Sequence, residues 1–149
     1  IANPSQTALV AVCLPEEMPV NETIELAASM HETLGRHLSS VMLNMVHKEP
    51  FSSHHRALFD VMSAEVKEEP LSTLEDLSPS DRILRGASLA LEWHDRDLKY
   101  SRILTRKLHD SIHIMELPML YEGKGQRVIS RLANVLNNKD DGAFDELAS

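Results

Sequence analysis

Two short apolar runs constrain this chain most: Thr7–Leu14 (Thr-Ala-Leu-Val-Ala-Val-Cys-Leu) and Ser40–Val46 (Ser-Val-Met-Leu-Asn-Met-Val). Each is nearly unbroken in hydrophobicity and too short for a core helix, the pattern of a strand covered on both faces. Glu16 to Val20 reads as a turn after the first run. Asn21 then caps a helix to about Leu34, with Glu22 and Glu25 complementing the positive end of its dipole. Ile24, Ala27, His31 and Leu34 form one face of it, and Gly35 supplies the left-handed residue that ends it. Strand, helix and strand at this spacing make a βαβ unit with parallel strands. Asn44 is the polar interruption of the second run. Buried unpaired, its carboxamide would cost about 1–3 kcal/mol. It therefore either bonds a nearby loop or, at the strand's carboxyl end, a ligand such as a base.

The rest of the chain alternates in the same manner. Lys48–Ser53 is a polar loop, and His54 to about Glu68 reads as a helix with Leu58, Val61, Met62, Glu65 and Val66 near one side. Pro70–Pro79 is a connector with room for one turn at Ser72–Leu77. Ser80 caps a long helical pattern to about Asp110, along the stripe Ile83, Ala87, Ala90 or Leu91, His94, Leu98, Ser101, Leu104 or Thr105, and Leu108. Its internal Gly86 predicts one bent helix or two abutting ones. His113–Leu117 is a third strand, stopped by Pro118, and Met119–Lys124 is a loop. A helix follows to Leu136, with Val128, Ile129, Leu132, Ala133 and Leu136 inward. The acidic stretch from Asn137 onward reads as a frayed tail. The expected fold is α/β, a partial doubly wound parallel sheet of about three strands. It occupies residues 1–149, with a helical insert at 48–112 packed over the sheet and an acidic tail at 137–149. Opening at Ile1, inside what reads as a loop before a strand, the chain suggests a piece of something longer.

Composition excludes several functions. The net charge of −8 opposes a general nucleic-acid surface, which needs a basic face. No apolar run approaches the roughly 18 residues of a membrane span. A single cysteine, Cys13, permits no internal disulfide, so a reducing, cytoplasmic setting is expected. Of the eight histidines, His47, His54 and His55 share a loop-to-helix region and read as solvent-facing, whereas His31 and His94 lie on apolar stripes. Gly123-Lys124-Gly125-Gln126 precedes a helix but lacks the spacing of a phosphate-binding loop.

Three blocks carry a family resemblance. Pro15-Glu16, five residues, then Glu22-Thr23 follow the first run; Leu43-Asn44-Met45-Val46 ends the second; Leu117-Pro118, a loop with Glu122 and Gly125, and the helix to Leu136 close the third. In this order they resemble the C-terminal half of the nucleotide-binding domain of the anion-transporting ATPase family, the arsenite-pump and tail-anchored-protein-targeting ATPases. The resemblance covers about half of the residues and leaves the insert unmatched. It implies that Asn44 hydrogen-bonds the adenine edge of ATP or ADP. Glu16 would lie near the ribose or across a dimer interface, and Leu117, Pro118 and the following loop would wall the base. It further implies a parent protein that hydrolyses ATP as a cytoplasmic homodimer to drive a protein or membrane-transport partner. The Gly-rich Lys loop and the Mg²⁺ ligands would lie upstream, so this chain alone should be inactive. Neither a Cys-x-x-Cys zinc motif nor a set of arsenite-binding cysteines is present. Two alternatives stand beside this reading: a non-catalytic interaction or dimerisation domain on the same scaffold, and a partition- or septum-site-type ATPase. The acidic tail opposes the septum-site type, which calls for a basic amphipathic helix.

Overall fold

A computed structural model describes residues 7–64, 78–121 and 125–137. Three strands, β1 (Val10–Cys13), β2 (Ser40–Val46) and β3 (His113–Pro118), form an all-parallel sheet in the order β1-β2-β3. Four helices accompany them: α1 (Glu17–Leu34), α2 (Ser53–Ala64), α3 (Pro79–Lys107) and α4 (Gln126–Leu136). This is the expected α/β fold with its helical insert. The proposed extension of α2 to Glu68, the turn at Ser72–Leu77, Glu122, Gly123, Lys124 and the tail beyond Asn137 lie outside the described residues.

The sheet steps one strand at a time in a single direction. Right-handed crossovers then put both connecting helices on one face. The core bears this out: Cys13, Val41 and Leu43 from the strands meet Val20 and Ala27 of α1 and Tyr100 and Leu104 of α3. In parallel register Val10 pairs Ser40, which pairs His113, and Val12 pairs Met42, which pairs Met115, so these residues line the opposite face. There Val10 and Val12 are 47% and 66% exposed. The expectation of strands buried on both faces is therefore corrected at β1. Its apolar run is continuous, but among the described residues Leu9, Ala11 and Cys13 pack on the helical core while Val10 and Val12 do not.

Helix boundaries depart from the sequence reading in instructive ways. α1 begins at Glu17, not after Asn21, with Glu16 in an extended conformation at the cap position. Pro19 is tolerated because the first turn needs no amide donor there. The buried stripe is accordingly Val20, Thr23 and Ala27, with Met30 packed beside it, whereas His31 and Leu34 are exposed. Gly35 ends the helix as anticipated, at φ 62°, with its amide on the His31 carbonyl.

α3 is one helix of 29 residues. Its cap is Ser78 rather than Ser80: the Ser78 hydroxyl oxygen accepts the Asp81 amide at 3.1 Å, and Pro79 occupies the first helical position. Gly86 does not break it. At 1.5 Å per residue it is about 43 Å long, roughly twice the ~23 Å of the seven-residue β2. Its C-terminal half covers the sheet and its N-terminal half runs past the carboxyl ends of the strands, leaving Ile83 and Leu89 exposed. The expected packing of the insert over the sheet holds for α3. In α2, by contrast, Leu58, Val61 and Met62 are exposed. In α4, no described residue is buried, and Ile129 and Leu136, expected inward, are exposed.

Candidate functional site at the carboxyl ends of the strands

β2 is regular only as far as Leu43. Met45 has φ 62°, a left-handed conformation that costs a residue with a Cβ about 1 kcal/mol or more. The β2–β3 register shifts across Leu43–Val46, and pairing resumes at Val46 with Pro118. This bulge re-aims the end of the central strand. The Met119 amide donates to the Val46 carbonyl at 2.8 Å, tying the segment after β3 to the same point.

Asn44, just before the bulge, is half-buried, and among the described residues nothing hydrogen-bonds its carboxamide. The loop bond that would have explained it is not made by any described residue. Leu117 is buried and Pro118 half-buried one strand away. Asn44 and Pro118 are thus brought to the same end of adjacent strands. Glu16, at the end of β1 on the far side of β2, is exposed and makes no capping bond. It lines an open cleft of about 600 Å³ with Glu17, Asp95, Arg96, Lys99 and Tyr100. The Tyr100 hydroxyl donates to Glu17 at 3.3 Å, and the Lys99 ammonium lies 4.8 Å from the centre of the Tyr100 ring.

The most tightly bonded group at this end escaped the sequence reading. Asp97 of α3 is 0% exposed. Its Oδ2 accepts the His47 backbone amide and the His47 Nδ1–H, both at 2.7 Å. Its Oδ1 accepts the neighbouring Arg96 guanidinium through Nε at 3.0 Å and Nη2 at 2.8 Å. A buried carboxylate is tolerable only with such compensation. Because the carboxylate can only accept, Nδ1 is the protonated ring nitrogen of His47. Nε2 has no hydrogen-bond partner among the described residues. The His47 ring packs against Trp93 (centroids 5.1 Å apart) and Tyr121 (6.0 Å). His94 Nδ1 donates to the His47 carbonyl at 2.9 Å, and its Nε2 lies 3.2 Å from a Glu49 carboxylate oxygen. Withdrawal from water and then the charge of Asp97 raise the Tyr121 phenol above its ordinary range.

His47 is therefore not the solvent-facing imidazole expected of it, although His54 and His55 are exposed. The spacing Trp93, Asp97, Tyr100, Leu104 is a helical stripe at i, i+4, i+7 and i+11. Allowing an acid on that stripe would have exposed Asp97 to a sequence reading. Arg96 joins the two parts of the site, bonding Asp97 and lining the cleft beside Glu16. Among the described residues no three His, Cys, Asp or Glu side chains are grouped to hold a metal ion. No helix among the described residues is long and apolar enough to cross a membrane. Compared with models of known families and with curated proteins, the chain matches none.

Proposed function

We propose that this chain supplies the base-binding side of an ATP site, as the C-terminal part of a nucleotide-binding domain like that of the anion-transporting ATPases. One observation carries the reading. Asn44, a half-buried residue whose solvent-reached carboxamide has no hydrogen-bond partner among the described residues, stands at the carboxyl end of the central strand, beside a strained bulge. Ligands of open α/β sheets bind outside these ends. A carboxamide presents a donor and an acceptor side by side, as the adenine edge requires. Pro118 and Leu117 flank it on β3 and supply the apolar wall, while Glu16 borders the neighbouring cleft toward the ribose. Phosphates and Mg²⁺ would be held by residues upstream in the parent, which would hydrolyse ATP as a cytoplasmic dimer driving a protein or membrane-transport partner. The exposed Val10 and Val12 and an outer edge of β1 that no described strand pairs support a sheet completed by further strands.

Those same residues favour a second reading, a non-catalytic domain that self-associates through the open sheet face. Isothermal titration with ADP separates the two. Binding abolished in Asn44→Ala supports the nucleotide site. Absence of binding, with a concentration-dependent dimer lost in Val12→Lys, supports the scaffold.

A further inference from the structure

We infer that His94 is a protonation-dependent clasp: as the imidazolium it ties the segment leaving β2, and through that segment α2, to the middle of α3. The half-buried ring is held between two acceptors from that segment. Its Nδ1 faces the His47 carbonyl at 2.9 Å, and its Nε2 lies 3.2 Å from a Glu49 carboxylate oxygen. A carbonyl oxygen and a carboxylate only accept, whereas a neutral imidazole carries a single N–H. Carboxyls are ionised above about pH 5. Both contacts are then hydrogen bonds only when the ring carries two protons.

The surrounding charges suit an imidazolium. Arg56 of α2 is shared among three carboxylates: Glu49 at 3.6 Å, Asp60 at 3.4 Å and Asp95 of α3 at 3.7 Å. One guanidinium leaves that group negative, and a charged His94 supplies a second cation. Asp97, one turn further along α3, is engaged elsewhere, with His47 and Arg96. The loop and α2 are joined to each other by the stacked rings of Phe51 and Phe59, 5.3 Å apart, and by the His55 amide on the Ser52 hydroxyl. Leu58, Val61 and Met62 of α2 are exposed. Two ion pairs link this unit to α3, His94 with Glu49 and Arg56 with Asp95. When His94 is neutral, its Nδ1–H keeps the His47 carbonyl and its Nε2 turns a lone pair toward Glu49. The first link is lost, and His47 stays in place on Asp97.

Histidine is the side chain that changes charge between pH 5 and 8. The docked form binds the extra proton, so docking of α2 is strongest on the acid side of that range and weakens as pH rises through it. A half-exposed ion pair shifts such an equilibrium by roughly two- to fivefold.

Hydrogen exchange read by mass spectrometry over Ser53–Ala64, corrected for the pH dependence of intrinsic exchange, measures the docking. Protection in the wild type should fall by about that factor between pH 5.5 and 8. In Glu49→Gln it should be flat across the range, near the wild-type level at pH 8. A flat wild-type profile overturns the inference, as does a fall that Glu49→Gln retains. Nitrogen NMR of the His94 ring gives a second reading on the wild type itself. Both ring nitrogens protonated at pH 5.5, with Nε2 alone bare at pH 8, is the expected result. Nε2 already bare at pH 5.5 overturns the clasp.

Discussion

Replacing Asp97 with alanine should be among the most damaging single changes in the chain. The carboxylate is wholly buried and accepts four N–H groups, two from His47 and two from Arg96. Removing it leaves the His47 amide and Nδ1–H without an acceptor in a partly buried setting, at about 1–3 kcal/mol each. The Arg96 side chain is 35% exposed and regains water, so its loss adds little. Breaking one side of a buried ionic cluster is worth about 3–5 kcal/mol in general. The partial exposure of both partners sets the expectation at the low end, about 3 kcal/mol. That corresponds to a drop in Tm of roughly 10 °C for a domain of this size. Urea unfolding followed by circular dichroism measures it, with Ser111→Ala as a surface control expected within about 0.5 kcal/mol. Asp97→Asn should fall between, since an amide oxygen still accepts. A cost for Asp97→Ala under about 1 kcal/mol would refute the view that this carboxylate holds the end of β2 against α3.

Other expectations follow from single groups. Withdrawal from water by the stacked rings of His31 and His109 (centroids 4.3 and 4.8 Å away), then their charge, lowers the His37 imidazole below its ordinary 6.5. A lowered histidine disfavours the protonated fold, so its contribution is intact above the unfolded value and lost as pH falls through about 6.5. His37→Gln should flatten stability between pH 7 and 5, in denaturant melts taken across that window. Burial raises the Cys13 thiol against a smaller lowering by its hydrogen bond with Thr23. Native protein should therefore react slowly with a thiol reagent at pH 8 and quickly once unfolded. At Met45 the left-handed backbone makes Met45→Gly neutral or stabilising by up to about 1 kcal/mol, and Met45→Val destabilising by more than that, in the same urea assay.

The parallel architecture was legible because its signal is local. Short apolar runs, an intervening helix and Gly35 each act within a few residues. Which faces are covered is a different kind of fact. Val10 and Val12 are as apolar as Ala11 and Cys13, and nothing in the run distinguishes the pair that meets α1 and α3 from the pair left exposed. Helix starts were misplaced where two capping residues competed: Ser78 with Pro79 behind it prevailed over Ser80, and Glu16 with Pro19 inside the first turn over Asn21. In the site, Asn44 stood out as a polar break in an apolar strand. Asp97 did not, because an acid on a long polar helix is ordinary until His47, fifty residues away in sequence, is folded against it. Tyr121 was passed over for a similar reason, since its contact with His47 depends on β3 lying beside β2.

An adenine ring bound as proposed touches this chain at the carboxyl ends of β2 and β3. Photolabelling with 8-azido-ADP, followed by peptide mass spectrometry, measures that directly. Labels are expected on the segments 44–47 and 118–121, protected by excess ADP and lost in Asn44→Ala. Labels concentrated instead in the groove between α3 and β3, lined by Ser101, Thr105, His109 and Glu116, or labels that ADP does not displace, would contradict it.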